Sequence, residues 1–489
     1  MAQPVPGGAA SPATGPGGAA PTKTPLTRRG TELVMLAFAS ALVTGAFMLV
    51  EANQEQELTF QIIWYGLAYL TLFGLAHLAV RRWAPYADPL ILPCVALLNG
   101  LGLVMIYRID LAMTERLASQ AKDWSEAAPK QVMWTTIALV LFFAVLLVVK
   151  DHRTLTKYGY TFGLGGLALL ALPAILPGVI APTINGAKIW IRVAGVSFQP
   201  GEFAKILLLV FFAAFLVSKR DLFMAAGRRV LGLDLPRARD LGPILFAWLV
   251  SIGVMVLEKD LGSSLLFFGI VLVMLYVATE RIVWVIVGLT LFLGGGLVAY
   301  SIFSHVQERV ANWLDPFADY PNGGGYQIAQ ALFGFGTGGV GGTGFGAGRP
   351  DMVPLANSDF IMAAIGEEIG FIGLAAVLMI YTVLALRGLR GALAVRDSFG
   401  KLLGGGLAFA VVMQVFVVAG GVTKLIPMTG ITAPFLSAGG SSLLANYVLV
   451  ALLLRISDAA RRPQPGPKPR QMDKVPIAEA GTVMVERPS

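Results

Sequence analysis

Asp315 lies in the run Asn312-Trp-Leu-Asp-Pro-Phe-Ala-Asp-Tyr320, with apolar side chains on both sides. The proline after it disfavours α-helix and biases Asp315 toward extended backbone, and its neighbours predict partial burial. A carboxylate so placed suits general-base work, although an Asp-Pro turn without chemistry fits the same residues. Lys188 and Arg192 flank Trp190 in Asn185-Gly-Ala-Lys-Ile-Trp-Ile-Arg192, and Glu202 and Lys205 follow three residues apart. On a helix that spacing puts both on one face. Lys188, Trp190 and Arg192 give cations and an aromatic at the membrane boundary; an interfacial aromatic belt with an intrahelical ion pair is the plainer reading. Asp260, Asp359, Glu367, Glu368 and Lys424 also stand in or beside apolar runs. Ser441, within Ser437-Ala-Gly-Gly-Ser-Ser442, offers hydroxyls and backbone amides to an anion, or small residues for close helix packing.

The elements that hold these residues follow from composition. The chain has 489 residues, 56% hydrophobic and 13% charged, about half the charge of a soluble domain. Its apolar runs are uniform and about twenty residues long, enough to cross about 30 Å of hydrocarbon. In lipid such runs must be helical to pair their own amides. The predicted fold class is therefore an all-α polytopic membrane protein. About twelve spans are expected, at 31–51, 59–80, 89–107, 132–149, 159–178, 203–217, 242–257, 262–279, 282–303, 359–386, 403–423 and 436–455. Lys and Arg cluster in alternate connections: after 59–80, 132–149, 203–217, 359–386 and 436–455, and ahead of 31–51. Cytoplasmic loops retain such residues, so both termini are expected inside and the long loop 304–358 outside. Residues 1–30 and 461–489 read as disordered cytoplasmic tails, without a cleavable signal pattern.

Charges within spans are expensive and usually mark function. Here they collect in the outer half; Glu368 is expected roughly 15 Å below the start of its span. Snorkelling accounts for some of them singly, but the set suggests an outward-opening polar cavity. Cys94 is the only cysteine and the histidines are scattered, so no zinc spacing exists. Gly334–Gly348 lacks the Gly-Lys-Ser/Thr ending of a phosphate loop and reads as a flexible or re-entrant outer segment. The net charge of +8 reflects topology rather than nucleic-acid binding.

At these residues the chain resembles the SEDS proteins (shape, elongation, division and sporulation), in particular the RodA and FtsW group, with a lean toward RodA. Phe198-Gln-Pro-Gly-Glu-Phe-Ala-Lys205 is similar to the family's Gln-Pro-Ser-Glu-Phe-Ala-Lys signature, and Lys259-Asp-Leu-Gly-Ser263 to its Pro-Asp-Leu-Gly-Thr/Ser element. Leu314-Asp-Pro, Gly325-Tyr-Gln, Ser358-Asp-Phe-Ile-Met-Ala-Ala-Ile-Gly-Glu-Glu368, Leu425-Ile-Pro-Met-Thr-Gly430 and Pro434-Phe-Leu-Ser-Ala-Gly-Gly-Ser-Ser442 follow in the expected order. Gly201, Lys259 and Thr343 depart from the usual Ser, Pro and basic residue. The resemblance implies a ten-helix core over 86–460. Residues 31–85 then form two additional N-terminal helices, of a kind associated with actinobacterial members.

It further implies peptidoglycan glycosyltransfer from lipid II at the outer face of the cytoplasmic membrane, in elongation or division, with inversion and release of undecaprenyl diphosphate. The family's essential outer-loop aspartate falls on Asp315, as general base and possible ligand of Mg²⁺. Lys188, Arg192 and Lys205 become candidate diphosphate or sugar contacts, organised by Glu202 and Asp260, with Glu368, Lys424 and Ser441 as further substrate contacts. No nucleotide or organic cofactor is implied. The implied partner is a class B penicillin-binding transpeptidase. Two other classes compete: a lipid II flippase or transporter, which would favour internal repeats and midplane charges, and a non-catalytic scaffold, which leaves the outer carboxylates unexplained.

Overall fold

Uniformly apolar stretches become helices because only helices satisfy their own backbone in lipid. The computed structural model describes residues 27–54, 61–184, 187–193, 195–219, 229–230, 233–234, 249, 253, 260–318, 320 and 322–463. Most of both expected tails, most of the expected span 242–257 and of the basic segment before it, and Lys259 lie outside these residues.

In chain order the helices are α1 (Arg29–Asn53), α2 (Gln61–Trp83), α3 (Ile91–Ala118), α4 (Ala128–Val148), α5 (Thr154–Lys157), α6 (Gly159–Ile175), α7 (Pro200–Ser218), α8 (Leu261–Thr279), α9 (Ile282–Ile302), α10 (Ser304–Leu314), α11 (Tyr326–Gly338), α12 (Ile361–Ala394), α13 (Ser398–Val422) and α14 (Gly440–Arg461). Ten are long and apolar enough to cross a membrane, and α6 is apolar but shorter. They coincide with the expected spans apart from 242–257. A small antiparallel hairpin, β1 (Ile191–Val193) and β2 (Val196–Phe198), pairs Arg192 with Ser197.

α3, α7, α13 and α14 are the central helices, with 72%, 72%, 67% and 83% of their most apolar stretches buried; α9 is peripheral at 6%. α3 runs well past its expected end at 107 because the charges beyond that point find partners. Asp110 accepts from Trp124 Nε1 at 2.8 Å and from the Ala127 and Ala128 N–H groups at 2.8 and 2.7 Å, closing the start of α4.

α1 is held at both ends, and α2 joins it at one. At one end Arg29 pairs with Glu32 and donates to Ala87 O, while His77 Nδ1 lies 2.7 Å from Glu32 Oε1. At the other, Tyr107 Oη donates to Glu51 Oε1 at 2.6 Å and Gln54 Nε2 to Gly346 O at 2.6 Å.

The glycine-rich stretch is neither a free loop nor a re-entrant segment that turns back alone. Its first part is the end of α11, and the rest is sewn to a break in α12. Gly370 sits at φ 66°, ψ −172°, a backbone open chiefly to glycine. The break exposes backbone groups that the stretch satisfies: Thr343 N donates to Glu367 O at 3.0 Å, Gly344 N to Glu368 O at 2.8 Å, and Phe371 N to Gly339 O at 3.0 Å. Gly338 permits the approach, since a Cβ there would fall 2.1 Å from Gly366 O.

Candidate active site

α7 opens at Pro200, whose missing N–H costs nothing at a helix start. Glu202 and Lys205 lie on one face of its first turns, as their spacing predicts, and Lys205 Nζ donates to Glu202 Oε2 at 2.9 Å. The same ammonium donates to Gln414 Oε1 on α13 at 2.9 Å, and Gln414 Nε2 donates to Thr432 O at 2.9 Å. The amide is thereby fixed with its oxygen toward the cation. Asp260 caps α8, accepting from Ser263 N at 3.0 Å. Glu202, Lys205, Asp260 and Ser263 line one cleft with Gln199 and with apolar Leu170, Pro173, Ile189 and Phe267.

Beyond Asp260 stands Arg309 on α10, half-buried, with Asp260 and Asp359 as its charged neighbours. Arg309 Nη1 donates to Met428 O and Thr429 O, both at 3.2 Å. Asp260 and Asp359 stand just ahead of the spans that begin at Gly262 and Ile361. Burial pushes the Asp260 carboxyl up, against the bonds from Ser263, and Glu202 adds to the rise. Burial also raises Asp359, opposed by Ser358 and Arg309. It lowers Arg309, and both aspartates oppose that.

Asp315 follows α10 directly, with extended backbone at φ −138°, ψ 90°, as a residue before proline should be. The expected partial burial is corrected: Asp315 is exposed, because Leu314 and Phe317 point outward at 65% and 46% exposure. Its Oδ1 accepts from Phe317 N at 3.0 Å. Phe317 packs on Phe333 of α11 with ring centroids 5.7 Å apart, so the segment rests on α11 rather than in the cleft.

A second charged cluster occupies the same half of the bundle. Glu368 is fully buried; its Oε1 accepts from Arg108 Nε at 2.9 Å and its Oε2 from Gly346 N at 3.1 Å. Arg108 Nη2 donates to Gly348 O at 2.7 Å, and Glu367 Oε1 accepts from Arg349 N at 2.8 Å. Both oxygens of Glu368 are engaged, so the carboxylate expected to touch substrate instead locks the glycine-rich stretch onto α3 and α12.

The remaining candidates are dispersed around the cleft. Lys188 Nζ donates to Ala174 O at 3.2 Å and Leu176 O at 2.7 Å, closing the end of α6. Arg192 is exposed on β1. Ser441 Oγ accepts from Gln199 N at 2.9 Å, which seats the start of α7 on α14. Lys424 is half-buried with left-handed backbone, φ 64°.

Sequence reasoning missed Arg309 and Gln414. A basic residue in a loop expected outside, four positions before Trp313, was a signal for the first. A lone amide in an otherwise apolar span was one for the second.

The fold and the cleft define a multi-pass membrane protein with a charged site at one end of its helix bundle. The family described as "Cell cycle protein", FtsW/RodA/SpoVE, matches residues 88–462. The chain is 57% identical over 461 residues to the peptidoglycan glycosyltransferase RodA of Mycobacterium tuberculosis, covering 94% of this chain and 96% of that one. It is 33% identical to a probable peptidoglycan glycosyltransferase FtsW of a Geobacter species, covering 78% and 99%. Among solved structures, a chain of a peptidoglycan synthase complex that coordinates polymerization and crosslinking matches with a TM-score of 0.60 at 25% identity, over 77% of this chain and 99% of that one. The rod shape determining protein RodA of Thermus thermophilus matches with a TM-score of 0.52 at 25% identity, over 78% and 98%. This chain belongs to the FtsW/RodA/SpoVE family, and within it resembles the mycobacterial RodA proteins.

Proposed function

We infer that this protein is a peptidoglycan glycosyltransferase that polymerises lipid II at the outer face of the cytoplasmic membrane. The observation that carries the reading is the cleft in which Glu202, Lys205 and Asp260 meet, beside an outer-loop segment that presents Asp315 to solvent. The ends of the bundle that carry Arg81, Arg82, Arg387 and Arg461 are the cytoplasmic ones by their positive charge. That orientation opens the cleft outward, where the disaccharide of lipid II lies.

In the reaction an acceptor sugar hydroxyl attacks the donor's anomeric carbon, a new C–O bond forms, and the bond to the diphosphate breaks with inversion. Asp315 takes the hydroxyl proton. Its exposure suits an acceptor that must enter with each cycle. Lys205 faces the leaving diphosphate with the donor valence that Glu202 and Gln414 leave free, and Glu202 and Asp260 fix the cations of the cleft. Arg192, on the hairpin rim, and Lys424 contact the headgroup, whereas Lys188 and Ser441 shape the cleft through backbone bonds. Among the described residues no three His, Cys, Asp or Glu side chains gather as a metal site. A Mg²⁺ ion near Asp315 would therefore draw fewer than three ligands from such side chains, with diphosphate and water completing its shell, and would neutralise leaving-group charge. A class B penicillin-binding transpeptidase is the proposed partner, in keeping with the synthase complex that this fold matches.

The test is polymerisation of purified lipid II by wild type and Asp315→Asn, each with the transpeptidase present. Loss of about 10²–10⁴-fold in rate is expected for the variant, with unchanged folding. Full polymer from Asp315→Asn would remove it from the chemical step.

A further inference from the structure

Asp315 belongs to a segment with little of its own to hold it. α10 buries none of its residues, yet the carboxylate at its end must meet a substrate bound elsewhere. Two of its side chains, Arg309 and Trp313, are four residues apart and so share one face. Both reach the same loop, between α13 and α14. Arg309 Nη1 bridges Met428 O and Thr429 O at 3.2 Å each, and Trp313 Nε1 donates to Lys424 O at 3.1 Å.

The receiving loop is shaped for this. Lys424 holds a left-handed backbone, φ 64°, although it is not glycine, and Gly430 does so at φ 76°. Non-glycine residues in that region carry strain that the surroundings must offset. Asp359 approaches the same loop, its Oδ2 standing 3.7 Å from where a Cβ of Gly430 would lie. Arg309 thus meets loop carbonyls with one nitrogen while Asp260 and Asp359 flank its charge. A planar guanidinium can serve both demands at once, whereas a lysine ammonium is a compact point charge without that fork.

We propose that Arg309 and Trp313 form a clasp that fixes α10 against the loop 424–429 and thereby positions Asp315, at the end of α10, for proton abstraction. They are positioning residues; neither needs to touch the reacting atoms. The proposal rests on Asp315 being the base, and its mechanical half stands on geometry alone.

The clasp is tested in the full-length protein with its transpeptidase partner, by comparing wild type, Arg309→Lys, Trp313→Phe and Asp315→Asn. Trp313→Phe keeps an aromatic ring, smaller than the indole, and removes the donor. Lipid II polymerisation kinetics and hydrogen–deuterium exchange across 304–318 are read on each. The clasp predicts faster exchange in 304–318 for Arg309→Lys and Trp313→Phe. It also predicts a kcat loss approaching about 10²-fold, the scale of a small misplacement of a reacting group, with KM and melting temperature held. Wild-type exchange and kcat in both variants would overturn it. A parallel loss of melting temperature would overturn positioning in favour of a purely structural role. If Asp315→Asn polymerises normally while the two variants still exchange faster, the base assignment fails, and with it the clasp's catalytic half, although α10 is held as described.

Discussion

The cleft and the lock draw on the same residue types at the same end of the bundle, yet they are opposite in electrostatic design. In the lock, Arg108 and Glu368 pair at 2.9 Å; Gly346 N–H adds one bond to the carboxylate and Gly348 O takes one from the guanidinium. Arg108 Nη1 is buried without a partner among the described residues. Glu368 is fully buried among these groups and faces no opening. In the cleft, Lys205 bonds to Glu202, which lines the cavity with it, and to buried Gln414 behind them, and Asp260 faces Arg309 without a direct ion pair. A charge on a cavity wall is available for chemistry, while one enclosed among backbone groups is architecture. The cost of burying charge in a membrane protein therefore marks both kinds of site, and only the partner geometry separates them.

The largest expected effect breaks the lock. Arg108→Ala strands the fully buried Glu368 carboxylate, and removing one member of such a pair typically costs about 3–5 kcal/mol. A steep drop in melting temperature and in recovered folded protein in detergent should follow. Gly370→Ala attacks the same seam from the backbone. It places a side chain at φ 66° with its Cβ 2.3 Å from Gly342 N, and low yield with early aggregation on size-exclusion chromatography is the expected outcome.

On the other side of the comparison, Lys205→Gln should spare the fold and remove the cation. A loss of about 10²–10³-fold in lipid II polymerisation is expected, the scale of deleting one donor to developing negative charge. Gln414→Leu sharpens the point: it leaves the charge and removes the amide that aims it, so a smaller loss of turnover should appear. The smallest effect belongs to the additional helix α1. Gln54→Ala removes one bond to Gly346 O, worth about 1 kcal/mol, and a melting shift of a few degrees without change in turnover would show that α1 braces the glycine-rich stretch rather than the cleft.

Much of this was legible in the residues. Uniform apolar runs located the spans, because lipid forces helix and sets its length, and the Glu202–Lys205 pairing followed from helical spacing alone. The lock was not legible, because it is closed by backbone groups of a distant glycine-rich stretch, the Gly346 N–H on Glu368 and the Gly348 carbonyl on Arg108. That stretch itself looked loose because its glycines serve two tasks, a close helix approach at Gly338 and left-handed turns beyond it, and composition does not tell these from flexibility. Asp315 was expected to be partly buried from its neighbours' hydrophobicity, but Leu314 and Phe317 turn outward and leave it exposed.

The most direct test of this division measures polymerisation rate per folded molecule together with melting temperature for Lys205→Gln and Arg108→Lys. The account predicts that Lys205→Gln melts near wild type and makes little glycan. Arg108→Lys, which loses the fork but keeps the charge, should melt early while its folded fraction polymerises at close to the wild-type rate. An active Lys205→Gln, or a stable Arg108→Lys that makes no polymer, would contradict it and move the chemistry from the cleft to the lock.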